Sequence, residues 1–96
     1  ARELLSKLED ANTTNPFFFI YQAEMALSRN EGDKALEYMT RALRLDSELP
    51  EVHLGFVKVY FQLGDMEKAR HHLGRALKLD ATNQDALQYA RLLGQQ

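Results

Sequence analysis

The sequence predicts an all-α fold in which about six helices stack as antiparallel pairs in a right-handed superhelical solenoid. Three observations carry this prediction. The chain repeats itself with a period of 34 residues, and each period contains two segments with the apolar spacing of helices. Alanines recur at the same points of both periods. This combination is typical of helix pairs that are stacked side by side.

The repeat is visible when the chain is shifted by 34 residues against itself. Eight of 34 positions are then identical without a gap, and many others keep their chemical type. The identical pairs are Pro16/Pro50, Lys34/Lys68, Ala35/Ala69, Arg41/Arg75, Ala42/Ala76, Leu43/Leu77, Leu45/Leu79 and Asp46/Asp80. Because the small and apolar matches concentrate at helical spacing, we interpret the similarity as a structural repeat.

Each period predicts two helices. The first helix of the first period covers residues 16–29 and begins at proline, whose fixed φ suits the first turn. Asn30 or Gly32 is expected to end it in the left-handed conformation. The second helix is predicted from about Asp33 to Leu45, and its counterpart in the second period from about Asp65 to Leu79.

Alanines define the expected contact between paired helices. They stand seven residues apart in each second helix, at Ala35 and Ala42 and again at Ala69 and Ala76. Residues at this spacing share one helix face, and small side chains there let two helices approach closely. High helix propensity alone would also favour alanine, but it does not explain the recurrence at the repeat period.

Four segments organise the predicted domain, which covers residues 1–96. Residues 1–15 hold the second helix of a partial repeat, 16–49 and 50–83 are full repeats, and 84–96 form a terminal capping helix. The capping helix is expected to turn four apolar residues inward and a polar stripe outward. The apolar four are Ala86, Leu87, Ala90 and Leu93. Because the chain begins with Ala1, we expect it to be a piece of a longer protein.

These residues together resemble the tetratricopeptide repeat family, whose units are 34-residue helix–turn–helix repeats. The matching positions in the first unit are Asn30, Glu31, Ala35, Met39, Ala42, Leu43, Leu45 and Asp46. Those in the second unit are Tyr60, Gly64, Asp65, Ala69, Leu73, Ala76, Leu77, Leu79 and Asp80. The resemblance covers nearly all of the chain and implies a scaffold that binds proteins or peptides.

Composition and motifs argue against several other functions. With 12 basic and 14 acidic residues the chain has no basic track, so no nucleic-acid partner is expected. The longest apolar run, Phe17 to Tyr21, is far too short to span a membrane. Without cysteine, a phosphate-binding glycine loop or a catalytic triad pattern, we expect no enzymatic activity, cofactor or metal. The compartment stays open, since cytoplasm and periplasm are both compatible with a cysteine-free chain.

The resemblance implies a concave face lined by the first helix of each pair. Carried over to this sequence, ten residues become candidates for peptide binding: Phe17, Ile20, Tyr21, Glu24, Leu27, Leu54, Lys58, Phe61, Gln88 and Leu92. Further positions on the same stripe are Ser28, Glu51, Gly55, Gln62, Asp85, Tyr89, Gln95 and Gln96. Glu24 and Lys58 are expected to meet on adjacent helices. The single lysine does not match the lysine and asparagine clamp with which some family members hold a carboxylate.

Two interpretations of this apolar stripe are equally favoured. The large side chains either fill one another's gaps as extra core, or they form a groove that accepts a partner. The leading functional hypothesis is therefore a protein-interaction module that binds an apolar or amphipathic peptide or helix. The alternative is a structural tail that docks on the rest of its parent chain or self-associates as a homodimer.

Overall fold

A computed structural model of the protein describes residues 14–94, which form five α-helices and no strand. The helices are α1 (Pro16–Ser28), α2 (Gly32–Leu45), α3 (Pro50–Leu63), α4 (Met66–Leu79) and α5 (Gln84–Leu92). The helix predicted over residues 1–11 lies outside the described residues, as do Gln95 and Gln96. The predicted all-α class of stacked helix pairs is confirmed.

The two pairs end their first helices in the same way. Asn30 has φ 64° and Gly64 has φ 86°, and these residues are 34 positions apart. After each of them a backbone N–H reaches back over the last turn: Glu31 N–H donates to Ala26 O at 2.8 Å, and Asp65 N–H to Tyr60 O at 2.9 Å. Of the two residues predicted to end α1, Asn30 therefore adopts the left-handed conformation, as asparagine tolerates. Gly32 instead begins α2.

Side-chain caps explain where three helices begin. Asn15 and Asn83 accept hydrogen bonds from the second and third backbone N–H groups after them, at 3.0 and 3.1 Å. Asp65 accepts one from Lys68 N–H at 3.2 Å, which places it just before α4 rather than inside the helix. Each cap satisfies an N–H group that has no partner within the helix.

Short turns make the helices of each pair antiparallel. In the first pair, Arg41 near the end of α2 lies over the ring of Phe19 near the start of α1. In the second pair, His53 near the start of α3 meets His72 in the middle of α4. The four alanines predicted to line these contacts, Ala35, Ala42, Ala69 and Ala76, are fully buried. Close packing of the paired helices, as the sequence predicted, follows from their small side chains.

Helix α3 belongs to two hydrophobic clusters at once. Val52, Phe56 and Val59 pack with α1 and α2, whereas Leu54 and Val57 pack with α4 and α5. Its middle is accordingly buried on nearly every side. A helix between two helix pairs has no face left for solvent over most of its length, which explains why its sequence is apolar throughout.

The helices form two layers of different density. In one layer α1 contacts α3 and α3 contacts α5, whereas α2 and α4 in the other layer have no Cα atoms within 8 Å of each other. A stack whose first helices are closer together than its second helices curves toward the first helices. The concave side is therefore the layer of α1, α3 and α5.

The terminal helix α5 is shorter than predicted and differs in one contact. It ends at Leu92, with Leu93 as a buried cap residue. Ala86 is fully buried and Ala90 is partly buried, as expected, but Leu87 is exposed. The inward position of Leu87 was wrong, because this side chain is 37% exposed.

Candidate functional site

The ten candidate residues fall into three groups by exposure. Ile20 and Leu54 expose only 8% and 4% of their surface, and they belong to the two hydrophobic clusters described above. Leu27, Lys58 and Phe61 are partly buried. The remaining five are exposed, namely Phe17, Tyr21, Glu24, Gln88 and Leu92. Part of the apolar stripe is therefore core, and another part faces outward.

Three side-chain contacts join neighbouring helices of the concave layer. Lys58 Nζ on α3 lies 3.2 Å from Glu24 Oε2 on α1, so the two charges predicted to meet do so. Gln62 Nε2 on α3 donates to Asn30 Oδ1 after α1, at 2.9 Å. Between α3 and α5, the rings of Phe61 and Tyr89 meet edge to face at 5.7 Å between centroids. These contacts link α1 to α3 and α3 to α5 within one layer.

Gly55 lies on the inner side of α3 rather than on the concave face. A Cβ atom built on Gly55 would collide with the terminal methyl group and sulfur of Met39 on α2. Met39 itself is fully buried. The position of Gly55 among the lining residues was therefore wrong, because the missing side chain makes room for a neighbouring helix and not for a ligand.

Three of the ten candidate residues are large, apolar and exposed. Phe17, Tyr21 and Leu92 are 48%, 59% and 60% exposed. Phe17 and Tyr21 are one turn apart on α1, next to the Glu24–Lys58 ion pair, and Leu92 lies at the other end of the layer on α5. Single exposed apolar residues are normal on a protein surface, whereas these three lie on helices of the same layer.

Histidines from both helices of the second pair meet where α3 packs against α4. His53 is buried, and its Nε2 lies 3.0 Å from the Ser47 carbonyl oxygen. Because a carbonyl only accepts hydrogen bonds, this nitrogen carries a proton. In a neutral ring His53 Nδ1 is then an acceptor, so the 3.3 Å contact with His72 Nδ1 requires His72 to donate. His53 is therefore hydrogen-bonded at both ring nitrogens.

His72 is held between aromatic rings. Its ring is nearly parallel to that of Phe56, 4.5 Å away, and to that of Tyr60, 5.8 Å away. Burial, followed by electrostatic interactions with His53, His71 and Arg75, lowers the pKa of His72 from 6.5 to about 4. His72 is therefore neutral at physiological pH.

The adjacent side chains of His71 and His72 on α4 point in different directions, with their rings inclined by 83°. Across residues 14–94 no three side chains of the types that bind metals converge on one point. The described helices also include none that is long and apolar enough to cross a membrane.

The pairing of His53 with His72 was not predicted, although the repeat carries a signal for it. Shifting by 34 residues aligns His53 with Phe19 and His72 with Tyr38. Two aromatic positions of the first pair are thus both histidine in the second. A paired change of this kind between two copies of one repeat indicates a contact.

Comparison with known proteins agrees with the geometry. The family model described as tetratricopeptide repeat matches residues 26–95. The BBSome complex member BBS4 of Bos taurus is 33% identical over 69 residues, which cover 72% of this chain and 13% of that protein. The chain therefore corresponds to a small part of that much longer relative.

Tetratricopeptide repeats are non-catalytic scaffolds for protein–protein interaction. The period, the paired helices, the buried alanines and the family match lead to the same conclusion. The chain belongs to the tetratricopeptide repeat family.

Proposed function

We propose that this domain binds an apolar or amphipathic peptide or helix on the concave layer formed by α1, α3 and α5. The observation that carries the proposal is the set of three exposed side chains Phe17, Tyr21 and Leu92 along that layer. An amphipathic segment laid across them would remove their apolar surface from water, which favours binding. The partly buried Leu27 and Phe61 would form the floor of the same surface.

The charge pair supports a defined binding register. The partly exposed Lys58 and the exposed Glu24 form an ion pair in the middle of the layer. Exposed ion pairs contribute little to stability, so their groups are free to exchange partners with a ligand. The relative from Bos taurus is by its name a member of a protein complex, which supports a role in assembling proteins.

The test is capture of a partner from lysate of the source cells, followed by direct measurement of the captured segment. The Phe17→Glu, Tyr21→Glu double variant should lose the partner, because a desolvated carboxylate faces the apolar side of the ligand. Both positions are exposed, so helicity by circular dichroism should be unchanged. Leu54 is unsuitable for this test because a charge there would disrupt the core.

A matched control removes the same kind of side chain elsewhere. Leu45 lies on the second helix α2, is 39% exposed and belongs to neither proposed binding surface. The Leu45→Glu variant should keep the partner, whereas the single Phe17→Glu variant should weaken its binding. Equal binding by these two single variants, or equal loss in both, would contradict the concave site.

The second candidate is a structural tail that docks on its parent chain or on a second copy of itself. The observation that favours it is Leu92, which is 60% exposed on the terminal helix α5 beside the exposed Leu87. Sedimentation equilibrium of the wild type and a Leu92→Glu variant distinguishes the cases. Dimers of the wild type that dissociate in the variant would support self-association, and a monomer at high concentration would count against it.

A further inference from the structure

A cavity of about 220 Å³ lies where the loop between α2 and α3 meets the last turns of α4. It is lined by Ser47, Glu48, His53, Arg75, Lys78 and Leu79. None of the ten candidate peptide-binding residues belongs to it. Whatever the cavity holds is therefore separate from a partner on the concave layer.

Two positive side chains, Arg75 and Lys78, line this cavity together with one acid, Glu48. Arg75 and Lys78 are three residues apart on α4, so their side chains lie on the same face of the helix. Within the described part of the chain neither one forms a salt bridge; the ion pairs there join Lys58 to Glu24 and Lys68 to Asp65. Like charges at this spacing repel each other, and a bound anion would relieve that repulsion.

The first repeat differs from the second in the surroundings of the residue equivalent to Arg75. Arg41, the counterpart of Arg75, lies 5.8 Å from the centre of the Phe19 ring. In the second repeat His53 takes the place of Phe19, and its ring is already engaged with Ser47 O and His72. Arg75 has therefore lost the aromatic partner that its counterpart has, and it lines a cavity instead.

The remaining lining groups suit a small anion with several acceptor oxygens. The guanidinium group of arginine matches phosphate in a bidentate manner, and lysine adds a point charge. The exposed Ser47 hydroxyl can donate a hydrogen bond from the opposite side. Glu48 is the only acid among the six lining residues, so positive charge prevails.

We propose that this cavity binds a phosphate group, free or carried by a phosphorylated partner. Arg75 and Lys78 hold its charge, Ser47 donates to one of its oxygens, and Glu48 weakens the site by repulsion. The proposal does not rest on the concave site, because the two surfaces share no lining residue.

The test is a titration of the whole ¹⁵N-labelled chain with inorganic phosphate, followed by NMR at pH 7 and constant ionic strength. Amide signals of Ser47, Glu48 and residues 75–79 should shift together and saturate. The Arg75→Gln, Lys78→Gln double variant should bind at least about tenfold more weakly, since both charge-assisted hydrogen bonds are removed. Because both residues are exposed, the variant should keep its fold.

Two further variants make the test specific. Arg41→Gln with Arg44→Gln removes the same charge at the equivalent positions of the first repeat and should leave phosphate affinity within about twofold of wild type, because it touches no lining residue. Glu48→Gln should tighten binding about two- to fivefold, because it removes the repelling carboxylate. The pKa of His72 should rise when phosphate is bound, because an anion beside Arg75 favours the imidazolium form.

The titrations test both whether phosphate binds and whether it comes from a protein or from the free ion. Absence of saturable shifts in the wild type, or equal loss of affinity in the two double variants, would overturn the proposal. A parallel titration with O-phosphoserine identifies the source of the group: tighter binding of phosphoserine indicates a phosphorylated protein, and tighter binding of inorganic phosphate indicates the free ion.

Discussion

The two helix pairs have the same helical architecture but differ in the contact made at two equivalent positions. In the first pair these positions hold Phe19 and Arg41, an aromatic ring with a cation above it. In the second pair the equivalent positions are His53 and Arg75, and His53 is hydrogen-bonded to Ser47 and His72. A buried aromatic position thus accepts histidine when both ring nitrogens find partners.

The difference teaches how one repeat can acquire properties that the other lacks. Replacing a hydrocarbon ring by imidazole keeps the shape of the seam but adds hydrogen-bonding and titratable groups. These groups make the second pair sensitive to pH and leave Arg75 beside a cavity. The following predictions test this comparison, beginning with the largest expected effect.

Truncation of the buried ring should reduce stability more in the first pair, at Phe19, than in the second pair, at His53. Phe19→Ala should lower the free energy of unfolding by about 3–5 kcal/mol, because it leaves a cavity in a hydrophobic cluster. His53→Ala should cost less, about 1–3 kcal/mol, through buried groups that lose their hydrogen bonds. Urea denaturation followed by circular dichroism measures both. A larger effect for His53→Ala would break the comparison.

The glycine positions should respond in opposite directions. Gly55→Ala should lower stability by about 1–2 kcal/mol, because its new methyl group meets the buried Met39 side chain. Gly74→Ala should raise stability by about 0.5–1 kcal/mol, since nothing lies within 4 Å and alanine favours a helix. Thermal melts of both variants check this prediction. Stabilisation by Gly55→Ala would show that Met39 moves aside without cost.

Acid should weaken the second pair. The pKa of His72 is lowered from 6.5 to about 4 in the folded chain, so between these values the unfolded chain binds more protons. Stability is therefore complete above pH 6.5 and falls as the pH decreases toward 4. Because the ring is only partly buried, we expect a loss on the order of 1–2 kcal/mol rather than the full value of the shift.

Variants assign this pH dependence to the histidine. His72→Gln should lower stability at neutral pH but flatten its decline between pH 6.5 and 4, as measured by urea denaturation at several pH values. His71→Gln replaces an exposed neighbour that is only a minor cause of the shift, so it should change the decline much less than His72→Gln does. An unchanged decline in His72→Gln would show that other groups cause the acid sensitivity.

Much of the architecture followed from local signals. The 34-residue period located the helix pairs, proline marked the starts of α1 and α3, and Gly64 marked an end. Asn30 left an ambiguity with Gly32 that the sequence could not resolve, because both residues adopt positive φ easily. In the structure Asn30 has the positive φ, whereas Gly32 begins α2 and packs closely against Leu63 of the next repeat.

The candidate site was less predictable, because exposure depends on neighbours distant in sequence. A helical stripe containing Ile20, Leu54 and Tyr21 looks uniformly apolar, yet only Tyr21 is exposed. Gly55 was placed on the same stripe, but Met39 of another helix occupies the space beside it. Neither the spacing of residues nor their hydropathy reports which partner helix covers a given turn.

By itself, the sequence determined the period, the helical class and the alanine-lined seams, because these depend on spacing along one chain. The tertiary structure decided which apolar residues of the concave layer are core and which face outward. It also decided that His53 meets His72, and that Arg75 and Lys78 line a cavity with Ser47. The reason is physical: curvature and side-chain contacts arise only when helices from different repeats pack against one another.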